Sequence, residues 1–254
     1  MLDSDRMSAD PVGNIERFPL PPAHGIPGLT QGAYGDAGNL ELVVPGIDGL
    51  WVYWFNADPV DRRHGAVRGH WSGGLNIARG MRFSAANITQ MSAGPLFLEV
   101  LALQMGGQVR RMYWTPSDGF VDAGVIATGA KAVTPVIQGT DHARFSSTQT
   151  DGTVSIFSAP ISKYPKLMWI PLQDRDAAGL PDSPTKTAAS AIPASDAAAT
   201  ASTSLDGGRI DAVLRRGRLL WHSHSRDGDD WSEQVLIESV VWRRPGDGPV
   251  HRVG

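Results

Sequence analysis

The chain contains no cysteine. Disulfides, a thiolate nucleophile and a cysteine-bound zinc are therefore excluded. It also lacks any run of about 18 apolar residues, the length a membrane-crossing helix needs, so no membrane span is expected. The first ten residues, Met1 to Asp10, carry three aspartates and no apolar stretch, unlike a secretory leader. A cytoplasmic location is the expectation, with export by a non-classical route left open. A basic excess is absent too: 23 Lys and Arg against 26 Asp and Glu give a net charge of −3. Nucleic-acid partners favour a basic surface, so none is expected. Finally, there is no G-x-S-x-G, no H-E-x-x-H, no P-loop and no EF-hand loop. Neither a cofactor nor a metal is expected.

What the chain does have is an internal repeat. Its clearest copy is Leu29 to Phe55, LTQGAYGDAGNLELVVPGIDGLWVYWF. A short apolar segment ends in Gln31. A Gly-led strand then carries Glu41, and after a Pro-Gly turn comes an aromatic strand with Trp51, Tyr53 and Trp54. A second copy runs through Gln90, Glu99 and Trp114. The third has Gln138, with Ser146 expected at the acid's place, and the fourth has Asp211 followed by Trp221 and His222. Gln31, Gln90 and Gln138 are spaced by 59 and then 48 residues. Repeats of about 40–50 residues with several strands each indicate propeller blades. Asp-Gly and Gly-Gly pairs between the strands suit hairpin turns that need positive φ.

The expected fold is all-β: a single-domain β-propeller of four blades, each of four antiparallel strands, closed by the chain ends. The count becomes five if the ends form a blade of their own. A sandwich with accidental self-similarity is the competing architecture. Residues 1–28 are rich in proline and are expected to be extended and to contribute to closure, leaving 29–254 as the propeller. Residues 174–206 are dominated by Ala, Ser, Thr, Pro and Asp. Such a segment buries too little apolar surface to offset its ordering entropy, and a flexible insertion is expected. A second long loop, residues 56–70, is charged and contains His64 and His70.

At the residues of the repeat the chain resembles bacterial and fungal β-propeller lectins, whose units read I-Q…G-N-L-E-V-V…G-L-x-H-Y-W…W. The match is good from Gln31 to Trp54, fair from Gln90 to Trp114 and poor in the third and fourth units. The resemblance implies that the Gln-ending segment is the innermost strand, beside the central channel. It also implies sugar pockets between or on blades, built from aromatic and polar side chains.

Three sets of residues are candidates for chemistry. The recurrent acids Glu41, Glu99 and Asp211 are either buried carboxylates held by hydrogen bonds, since buried charge must be paired, or a general acid or base. Gln31, Gln90 and Gln138 either bind ligand hydroxyls or lock neighbouring blades. Trp54, Trp114 and Trp221 are the candidate stacking surfaces, although most of the eight tryptophans must serve the core. His222 and His224 lie two apart on a strand, share a face, and complete the acid–base set.

Two functions follow, besides that of a protein-interaction propeller. One is lectin-like binding of a glycan or other small ligand. The other is a small-molecule enzyme of cyclase, lyase or hydrolase type, using Glu41, Glu99, Asp211, His222 and His224 in one asymmetric pocket. Fungal lectin-like propellers that became cyclisation catalysts make the second plausible by analogy.

Overall fold

The structure is a computed structural model that describes residues 14–34, 38–56, 69–172, 199–204, 210–226 and 230–243. Nearly all of them lie in strands or the turns between strands. A 3-10 turn at Ile161–Lys163 is the only helical element among them, and no helix among the described residues is long and apolar enough to cross a membrane.

Strand β1 is Asn14–Pro19. The first blade then runs through β2 (Gly28–Gln31), β3 (Leu40–Gly46), β4 (Gly49–Phe55) and β5 (Trp71–Asn76). Blade two is β6 (Phe83–Gln90), β7 (Leu98–Gln104), β8 (Val109–Thr115) and β9 (Gly119–Ala127). Blade three is β10 (Ala130–Val133) with β11 (Ile137–Gln138), then β12 (His142–Gln149), β13 (Val154–Pro160) and β14 (Ile170–Pro171). Its innermost strand is split because Pro135 has no N–H to give the ladder. Blade four is β15 (Ala199–Ser204), β16 (Ile210–Arg216), β17 (Leu219–Ser225) and β18 (Val235–Leu236). The last strand is β19 (Glu238–Arg243).

These strands form four sheets, antiparallel except where β19 runs parallel to β5, arranged as a four-bladed β-propeller. The inner strands adjoin at the hub, β2 beside β6 and β15, and β6 beside β10. The chain ends meet as β1 paired with β19, and β19 joins the outer edge of blade one beside β5, Ser239 opposite Trp71. The ends therefore extend a blade that already has its four strands, and there is no fifth sheet among the described residues.

Strand alternation decides what faces each seam. In blade one Val43, Leu50 and Val52 pack against Ala86, Val100 and Met112 of blade two. Leu40, Leu42 and Tyr53 point the other way, onto Val213, Leu220 and Ile237 near blade four. Leu101, Leu103 and Val109 carry the same rule to the next seam, where they meet Phe145, Phe157 and Ala159 of blade three. Each such buried side chain contributes about 1.5–3 kcal/mol, so the seams hold the ring together.

Two expectations from the sequence need correction. The third unit's counterpart of the acid is Arg144, not Ser146. Arg144 pairs with Ile137 and Ala143 with Gln138, as Glu99 pairs with Thr89 and Leu98 with Gln90. The sequence hides this register because the polar run Ser146–Thr148 resembles the polar end of the other strands and the inner strand of this blade is interrupted. The second correction concerns residues 174–206: Ala199–Ser204 is the innermost strand of blade four and pairs with β16 throughout. The backbone ladder with β16, not the composition of the segment, makes this stretch a strand. Residues 173–198 lie outside the described residues, as do 57–68 of the other long loop.

Candidate functional site

A cavity of about 300 Å³ opens between blades one and two. Glu41, Val52 and Trp54 enter it from β3 and β4, and Leu98, Trp114 and Phe120 from blade two. The pairing explains why these meet. Glu41 is directly opposite Trp54, and Trp114 is directly opposite Phe120, so each sheet presents adjoining side chains on its cavity face. Asn39 and Gln90 add polar groups.

Two backbone features make room. Gly73 has φ +103, and a Cβ there would come within 2.7 Å of the Trp54 ring and 2.8 Å of the Val52 carbonyl. The Trp54 indole can lie over β5 only because that residue is glycine. Gly32 does the same for the acid, since its Cβ would meet Glu41 Cγ at 3.0 Å. Leu96, on the cavity wall, holds the left-handed conformation at φ +64. A bulky residue in that conformation costs energy and marks places where the surroundings fix the backbone.

Glu41 keeps partial accessibility through the cavity, yet protein surrounds it closely. Desolvation pushes its carboxyl up to about 8. No hydrogen bond or ion pair reaches it among the described residues.

The equivalent acids are treated differently. In blade two Glu99 is fully buried and bound by Arg111 through two bonds, of 2.5 and 3.0 Å. Arg111 also donates to the Pro165 carbonyl at 2.7 Å and lies 5.0 Å over the ring of Tyr113. Burial pushes the Glu99 carboxyl up, and the opposing guanidinium limits the rise to about 7. The cleft beside this pair is filled by Tyr164, which stacks on Phe97 and donates to the Leu98 carbonyl at 2.6 Å. In blade four the fully buried Asp211 contacts His222 Nε2 at 2.7 Å. His222 is packed edge-on against Phe55 and Trp71. A second cavity, about 510 Å³, opens there between blades four and one, with His224, His70 and Arg17 on its wall.

The sequence candidates thus occupy three different seams. Glu41, Trp54, Trp114 and Gln90 share the first cavity. His222 and His224 line the second, with Asp211 behind them, and Glu99 is sealed between blades two and three. The five acid–base candidates do not converge on one pocket. Trp221 lines neither cavity, because it alternates with His222 and takes the opposite face of β17. The amides bridge blades: Gln90 Oε1 accepts from Ala33 N at 3.0 Å. Gln138 Oε1 accepts from Ser92 N at 2.6 Å while its Nε2 donates to the Gln90 carbonyl at 2.7 Å. Gln31 lines neither cavity.

Sequence reasoning missed Arg111, Phe120, Leu96 and the importance of Val52. A signal was present for two of them. Arg111 follows its acid by 12 residues and His222 follows Asp211 by 11. Counting the same distance across the first hairpin arrives at Val52.

No family model matches the chain, and no curated protein matches it. Similar solved structures exist. BP39L lectin from Burkholderia pseudomallei is 15% identical with a TM-score of 0.43, over 87% of this chain and 57% of that one. AofleA from Arthrobotrys oligospora is 14% identical with a TM-score of 0.41, over 87% and 60%. A fucose-specific lectin from Aleuria aurantia is 13% identical with a TM-score of 0.38, over 83% and 60%. The chain therefore spans less than two thirds of the length of each.

Proposed function

We propose that this propeller is a lectin-like binding protein that takes a glycan or similar small ligand in the cavity between blades one and two. The observation that carries this reading is the wall of that cavity. Two indoles and a phenyl ring, from Trp54, Trp114 and Phe120, meet the Glu41 carboxyl and the amides of Asn39, Asn56 and Gln90 across about 300 Å³. Sites for small ligands combine such an apolar surface with a few placed polar groups, and aromatic rings stack on the C–H faces of sugars. The scattering of the acid–base candidates over three seams leaves binding as the better supported role.

The test is a glycan array of the intact protein, followed by calorimetry with any ligand found. Trp54→Ala and Trp114→Ala should each weaken binding about tenfold or more, as loss of a central aromatic anchor does. Unchanged binding in both variants would place the ligand elsewhere and overturn the reading.

A further inference from the structure

The internal repeat offers a comparison of one position in four chemical versions. In blade two the acid Glu99 is covered by Arg111, whose guanidinium lies between that carboxylate and the ring of Tyr113. Tyr113 is directly opposite Glu99, as Trp54 is directly opposite Glu41. In blade four the acid Asp211 is covered by His222. Blade three has no acid there, and Arg144 takes its place. Blade one keeps the acid and the aromatic ring, but the residue two positions before that ring is Val52, where blade two has Arg111 and blade four has His222. Val52 supplies no charge, and its short side chain leaves Glu41 facing the aromatic cavity.

We propose that the ligand of this cavity carries a positively charged nitrogen, which pairs with Glu41 and lies against the rings of Trp54 and Trp114, as the ammonium of an amino sugar or a quaternary ammonium compound does. The inference rests on the proposed function of the same cavity and narrows its ligand class. An aromatic wall attracts such a cation through the ring quadrupole, and the carboxylate supplies the counter-charge a desolvated cation needs. Tyr34 is the only other titratable side chain among the described residues that line the cavity. Among these residues, then, no cation competes for Glu41. Burial holds the carboxyl near 8, with no partner among the described residues. A cation must bind its ionised form, so affinity for a permanent cation rises with pH and levels off above about 8.

The experiment compares choline with 3,3-dimethylbutan-1-ol, its uncharged isostere, and glucosamine with glucose and N-acetylglucosamine, by calorimetry on the full chain. Choline should bind about tenfold or more tighter than the alcohol, and this preference should weaken about tenfold for each pH unit below 8. Glu41→Gln should abolish the preference. Val52→Arg, which installs blade two's internal cation, should abolish choline binding by a second route. A neutral sugar or the alcohol binding as tightly as its charged counterpart, with dependence on Trp54, would overturn the cation inference and leave the glycan reading intact. Choline binding without any glucosamine binding would support the inference and remove the glycan reading. Failure of every probe would overturn both.

Discussion

Val52 of blade one and Arg111 of blade two stand at the same place in the repeat, two residues before the aromatic residue that faces the acid. Arg111 covers Glu99 and joins it in a sealed seam. Val52 leaves Glu41 in the wall of a cavity. One substitution at a repeated position separates a structural ion pair from a candidate binding site.

The two acids should respond oppositely to neutralisation. An unfolded Glu41 ionises near 4.5 and the folded one near 8. Between these values the native state holds the extra proton, so native stability falls as pH rises. Glu41→Gln removes that loss. Its melting temperature should exceed wild type at about pH 9 and approach it at about pH 5, read by thermal denaturation across that range. A difference of the same size at both ends would show that ionisation of Glu41 is not what the substitution relieves.

Glu99→Gln should be strongly destabilising instead. It leaves the buried Arg111 without its counter-charge, and breaking a buried pair from one side costs about 3–5 kcal/mol. Glu99→Gln combined with Arg111→Leu should recover much of this loss, because no unpaired charge remains. Urea denaturation of the two variants measures both; a double variant as unstable as the single one would point to packing rather than charge.

Gly73→Ala should damage the candidate site through backbone and sterics together. The position has φ +103, and the new methyl would meet the Trp54 ring and the Val52 carbonyl. A cost of about 1–3 kcal/mol follows from the strained conformation, with a loss of ligand affinity as the indole is displaced. Near-ultraviolet circular dichroism and a binding titration report on the two effects. Unaltered Trp54 environment and affinity would refute the steric account.

Gln138→Ala tests the blade-to-blade amide link. Two hydrogen bonds, from Ser92 N to Oε1 and from Nε2 to the Gln90 carbonyl, would disappear. At about 0.5–1.5 kcal/mol each, the expected loss is about 1–3 kcal/mol, with ligand affinity in the first cavity little changed. A large fall in affinity without a fall in the urea midpoint would assign Gln138 a ligand-binding role.

Much of the architecture was legible because strand periodicity and turn chemistry are local. Gly-led strands, Asp-Gly turns and the recurring Gln–acid–aromatic order mark hairpins wherever they fall. They favour a propeller of four-stranded blades over a sandwich. Trp54 and Trp114 were legible as candidate stacking surfaces for the same reason. Register was harder. Arg144 was hidden at the acid's place because the third inner strand breaks at Pro135 and the repeat shifts.

By itself, the sequence determined the all-β class, the repeat, and which residue types were available: three acids, three amides and a surplus of tryptophan. Only tertiary structure decided what each acid does. A carboxylate's role depends on its neighbours across a hairpin and across a seam, and those neighbours come from strands far apart in sequence. Glu99 acquires Arg111 and the Tyr164 plug, Asp211 acquires His222, and Glu41 acquires Val52 and two indoles. Similar carboxyl groups in equivalent strands thus end in different dielectric surroundings, and burial against pairing is a balance that composition cannot express.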